Sequence, residues 1–91
     1  MNGLHYAIIA LMENDSKTNK IKKEFGTAVR RKRHKMGISQ EDFANRADIH
    51  RTYVSSIELG KVDIGISVAY KVAAALDTPL NLLIKDAEKN L

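Results

Sequence analysis

Between Ser39 and Gly60 the chain reads SQEDFANRADIHRTYVSSIELG, and this stretch narrows the choice of fold more than any other. Ser39 is a good N-cap; Gln40 and Glu41 follow it, and Phe43, Ala44 and Ala47 then recur at helical spacing. Ala44 is small enough for a second helix to cross close beside it. Asp48 stands where a turn is needed, and Ile49 follows as an apolar plug. Val54 and Ile57, three apart, mark one face of a second short helix near 50–58. Its opposite face carries Arg51, Thr52, Ser55 and Ser56, which can hydrogen-bond outward and leave little apolar surface to hide.

The rest of the chain bounds the setting. Ninety-one residues make one small domain, and a chain this short gains from short loops or dimerisation. One proline, five glycines and little β-type alternation favour an all-α fold. The lack of cysteine excludes disulfides and thiolate metal sites and fits a reducing cytoplasm. Between residues 20 and 35 eight cations face only Glu24, a net of +7 in a chain whose total is +4. A basic block on an otherwise mildly acidic domain is what a phosphate-contacting surface would look like. Leu4 to Met12 is apolar but far shorter than the roughly 20 residues that span a bilayer. It has no basic leader, so neither a membrane span nor a secretory signal is expected.

Along the chain, residues 1–19 read as an N-terminal extension. Leu4, Ile8, Leu11 and Met12 could line one side of a helical turn or two, residues 13–19 form a polar linker, and Met12 offers an alternative start. Residues 20–91 form the domain. Ile21, Phe25, Ala28 and Val29 make a first helical stripe, ended by Gly37 in the left-handed cap position. After the two helices above, Gly60 caps the second and residues 61–65 form a loop. Ile66, Ala69, Val72, Ala73 and Leu76 mark a fourth helix. Thr78 before Pro79 predicts an N-cap and first-turn proline opening a fifth, marked by Leu80, Leu83, Ile84 and Ala87.

Two short helices at a tight turn, the second polar and basic on its outer face, is the layout of a helix-turn-helix. Residues 21–86 resemble the Cro and phage-repressor type, the XRE family. The resemblance is carried by Met36-Gly37-Ile38-Ser39-Gln40-Glu41, Phe43-Ala44, the run from Val54 to Lys61, Val72 to Leu76, and Pro79 to Leu83. The stretch HRTYVSSIE is also similar to the recognition helix of restriction–modification controller proteins. The implied fold is a compact, all-α, five-helix lambda-repressor-like domain with an N-terminal extension.

The resemblance also implies roles. Arg51, Thr52, Ser55 and Ser56 would reach base edges, Arg51 foremost because a guanidinium can bind both O6 and N7 of guanine. Ser39, Gln40, Tyr53 and Lys61 would contact phosphates, Gln40 from a helix N-terminus whose free N–H groups suit an anion. Arg33 and Glu58 would form a structural ion pair that fixes the angle of the recognition helix. Asp48 and Asp77 stand where such domains usually carry glycine, at positions favouring positive φ, which Asp tolerates better than most residues.

The expected function is a sequence-specific transcriptional regulator that binds double-stranded DNA as a cytoplasmic homodimer and needs no cofactor, metal or small-molecule ligand. Leu80, Leu83, Ile84, Ala87 and Leu91 are the expected dimer interface. His5, His34 and His50 are too scattered for a metal site, and Tyr6 and Tyr70 read as packing residues. No nucleophile set or phosphate loop appears, so no enzymatic activity is expected. The alternative is an antitoxin or other module whose main partner is a protein.

Overall fold

The computed structural model describes the backbone of residues 3–91, and the side chains of that range except at 5, 6 and 8–15. Five helices follow in order: α1 (Gly3–Lys35), α2 (Gln40–Ala47), α3 (Arg51–Glu58), α4 (Ile66–Ala75) and α5 (Leu80–Glu88). No strand occurs among the described residues.

The expected linker at 13–19 is instead part of α1, which runs unbroken for 33 residues. That segment contains neither proline nor glycine, so nothing interrupts the hydrogen-bond ladder once the flanking turns are helical. Polarity marks it only as solvent-facing, and Ser16 to Lys20 are all exposed. The length of α1 sets the long axis of the molecule, 52 Å against 24 and 19 Å across. The apolar face proposed for the extension rests on Ile8, Leu11 and Met12, whose side chains, like those of His5 and Tyr6, lie outside the described residues.

The short helices end where local chemistry requires. The Ser39 hydroxyl accepts from the Asp42 N–H at 3.0 Å and caps α2. Asp48 takes the left-handed conformation at φ 55°, and the Ile49 N–H returns to the Ala44 carbonyl at 3.0 Å. Asp77 repeats the device after α4, at φ 51°. Thr78, expected as the cap of α5, instead donates its hydroxyl to the Leu76 carbonyl at 3.0 Å and closes the preceding turn. Pro79 occupies the N-cap position and Leu80 opens the helix.

Phe25, Val29, Phe43, Val54, Ile57, Val72 and Leu83 fill the core, and Ala28, Ala44, Ala47, Ala73 and Ala87 let the helix axes come close. Among the buried residues, two of the expected dimer contacts are out of reach. Leu83 and Ala87 are each 0% exposed within this single chain, so they cannot meet a second copy. Leu80 and Ile84 also pack against the core, and only Leu91 is freely exposed. An apolar stripe does not say whose core it faces. Tyr70, expected to pack, is 66% exposed on α4, as is the nearby Ile66 at 78%.

Candidate nucleic-acid interface

Helix α3 presents two opposed faces. Val54, Ile57 and Glu58 are buried, whereas Arg51 and Thr52 are exposed and Ser55 and Ser56 half-exposed. The four residues assigned to base contacts therefore share the outward side of an eight-residue helix. A ring nitrogen opens this helix: Nδ1 of His50 accepts from the Thr52 N–H at 3.1 Å. Accepting there requires the Nδ1 lone pair, which places the proton of the neutral ring on Nε2. Histidine is not among the usual capping residues, and the sequence reading missed this role.

The inner end of α3 is held by charge. Arg33 donates from Nε to Glu58 Oε2 at 2.7 Å and from Nη2 to Oε1 at 2.9 Å, a bidentate pair. Its Nη1 donates to the Ile38 carbonyl at 2.9 Å, tying in the turn before α2. Gln40 Nε2 adds a third donor to Glu58 Oε1, at 3.1 Å. Arg33 is 7% exposed and Glu58 8%. The hydrogen bond to Glu58 raises the Arg33 pKa above its ordinary value, against the opposing effect of burial. A raised pKa on a cation stabilises the fold fully at any pH below the ordinary arginine value, and that contribution is lost only in strong alkali. Arg33 therefore adds no pH dependence in the neutral range.

Backbone contact reinforces the pair. A Cβ on Gly26 would overlap the Ile57 carbonyl oxygen and lie 2.7 Å from that of Glu58. A Cβ on Gly60, at φ +70°, would lie 2.7 Å from the Lys23 Cα. Helix α1 thus rests directly on the C-terminal end of α3, main chain against main chain. Gly26 was not singled out from sequence, because nothing local distinguishes a close approach from an ordinary helical glycine.

The residues assigned to phosphates are less uniform. Ser39 and Lys61 are exposed, Gln40 is half-buried, and Tyr53 packs against the edge of the core. An amide nitrogen carries two protons, so the contact to Glu58 leaves Gln40 one for a phosphate. The basic block of α1 does not form one surface. Arg33 is consumed by Glu58, and Arg31 pairs with Asp86 at 3.2 Å. Arg31, Lys32 and Lys35 gather with Lys85 and Lys89 around a recess against α5. Arg30, beside the Arg33–Glu58 pair, lines the recess next to α3 with Gln40, Ser55 and Leu59. Helical phase divides the block, and phase has meaning only once the bundle is known. Among the described residues, no group of three or more acidic or histidine side chains converges as a metal site, and no helix is long and apolar enough to cross a membrane.

A capped, polar-faced helix held at the edge of a small helical bundle by its inner face defines a helix-turn-helix DNA-binding protein. The helix-turn-helix family model matches residues 29–83, and the chain belongs to that family. It is 40% identical over 72 residues to the control protein C.MunI of Mycoplasma sp., covering 78% of this chain and 97% of that protein. Against the control protein C.BamHI of Bacillus amyloliquefaciens it is 41% identical over 68 residues, 72% of this chain and 84% of the relative. The crystal structure of the restriction-modification controller protein C.AhdI from Aeromonas hydrophila superposes with a TM-score of 0.65 at 33% identity, covering 67% of this chain and 92% of that one.

Proposed function

We propose that this DNA-binding transcriptional regulator acts as a homodimer on a two-fold-symmetric operator, as a controller of restriction–modification genes, and regulates its own promoter. The observation that carries the reading is the division of α3: one face is locked into the bundle, and Arg51, Thr52, Ser55 and Ser56 are presented outward. Such a helix enters the major groove, with phosphate contacts from Ser39, Gln40 and Lys61 setting its register. Arg30 and Leu59 flank it and extend the contact surface. Half-sites lie about one helical turn apart, roughly 34 Å. The similarity to control proteins over most of the chain supports the choice of regulatory system.

Selection from random-sequence DNA, followed by anisotropy titration of the winner and a scrambled control at two salt concentrations, tests the reading. A symmetric winner that binds far more tightly than the scramble is expected, with affinity falling steeply as salt rises. Equal binding to both sequences would rule out a specific operator and turn the search to a protein partner.

On the selected operator, Arg51→Ala should weaken binding by about 1–3 kcal/mol and relax preference at one base pair. Gln40→Ala should weaken all sequences alike, since phosphate contacts carry no sequence information. Because Gln40 also supports Glu58, its thermal unfolding must be recorded beside the titration.

A further inference from the structure

The C-terminal parts of α1 and α5 lie side by side and enclose a recess of about 330 Å³. Arg31, Lys32 and Lys35 wall it from α1, Lys85 and Lys89 from α5, and Leu82 and Asp86 complete the lining. We infer that this recess is an anion site for a compact chain of linked phosphates. The site is separate from α3, and the inference does not rest on the operator or on dimerisation.

The recess concentrates positive charge. Five cations against one carboxylate leave it a net of +4. Asp86 is already committed: its Oδ2 accepts from Arg31 Nη1 at 3.2 Å, and its Oδ1 lies 3.7 Å from the Lys89 ammonium. Lys32, Lys35 and Lys85 have no acidic partner among the described residues. Glu88 is on the same helix as Lys85 but does not line the recess. Cations do favour helix C-termini, yet two ends of roughly −0.5 each balance only about one of the four charges. Arg31 and Lys35, like Lys85 and Lys89, stand four apart, where like charges repel on a helix face. An anion held between the two helices turns that repulsion into attraction.

Position and shape select the anion. By helical phase, Lys32 and Lys35 point roughly 140–200° around α1 from Arg30, which borders α3. A duplex seated on α3 is thus on the other side of α1 from the recess. A duplex strand also spreads its charge, one phosphate per roughly 3.4 Å of axis, over a convex surface. Phosphates joined through shared oxygens bring several negative charges into one hollow. Their outer oxygens can accept from several ammonium groups at once, and flexible lysines donate without a fixed geometry. Leu82, 48% exposed, offers an apolar surface to a base if the chain belongs to a nucleotide. The sequence reading expected no small-molecule ligand, because the cations of α1 and α5 meet only in the folded chain.

Calorimetric titration of the full chain with inorganic tripolyphosphate, at physiological ionic strength without magnesium, tests the site. One molecule per chain should bind, at least tenfold more tightly than orthophosphate. Amide chemical-shift changes should centre on residues 31–35 and 82–89. Lys32→Gln combined with Lys85→Gln should weaken tripolyphosphate binding at least tenfold, with thermal unfolding and DNA affinity unchanged. Adenosine triphosphate, titrated in parallel, separates the sources: tighter binding than tripolyphosphate assigns the site to nucleotides, and weaker binding to bare polyphosphate. Tripolyphosphate bound no better than orthophosphate would overturn the inference, as would shift changes centred on α2 and α3. So would a double variant that keeps its tripolyphosphate affinity, or one that loses affinity for a scrambled duplex instead, which would make the recess a nucleic-acid surface. Failure to select a specific operator would leave every one of these results standing, so the two readings fail independently.

Discussion

Glu58→Ala is expected to destabilise the protein by about 3–5 kcal/mol, because it leaves the Arg33 guanidinium buried without its counter-charge. Domains of this kind have total stabilities of about 5–15 kcal/mol, so urea denaturation should show a large fall in midpoint, and a marginal fold would be lost outright. The pair itself contributes much less than its rupture costs, since both ions were desolvated to form it. Joint replacement by Arg33→Met and Glu58→Leu should therefore recover most of the lost stability. The Ile38 carbonyl and the Gln40 amide would then lose their partners, which limits the recovery. A double variant as unstable as Glu58→Ala would mean that the pair holds the α1–α3 contact by more than charge.

Gly26→Ala should cost about 3 kcal/mol, against the small gain that alanine ordinarily brings to a helix interior. The new methyl group would meet main-chain atoms of Ile57 and Glu58, and main chain cannot rotate aside as a side chain does. The measurement is again denaturant unfolding, with operator affinity followed in parallel. If the variant folds, α3 must tilt away from α1, and specificity should suffer more than general DNA binding. A neutral or stabilising outcome would show that the two helices are less tightly apposed than their backbones indicate.

How much of this was legible beforehand depends on how local each feature is. The caps and turns were open to reading because a side chain and its own neighbours decide them: Ser39 before α2, and Asp48 and Asp77 at positive φ. Helices α2 to α5 were legible from the spacing of Phe43, Val54, Val72 and Leu83. The continuity of α1 was not, since a polar helix in solvent has no apolar period. Gly26 and the division of the basic block were hidden for a different reason, being properties of one helix laid against another. Leu83 and Ala87 show the same limit, for periodicity marks an apolar face without naming what covers it.

The separation of faces on α3 has a consequence for how such a protein can change. The side chains that hold the helix are Val54, Ile57 and Glu58, whereas the outward set of Arg51, Thr52, Ser55 and Ser56 contributes little to the core. On the proposed base-contact reading, substitutions in the outward set alter which operator is read while the fold tolerates them, since surface changes usually shift stability by only about half a kcal/mol either way. Recognition can therefore drift one base pair at a time on an unaltered scaffold. Such a lineage could acquire a new DNA target without passing through an unfolded intermediate.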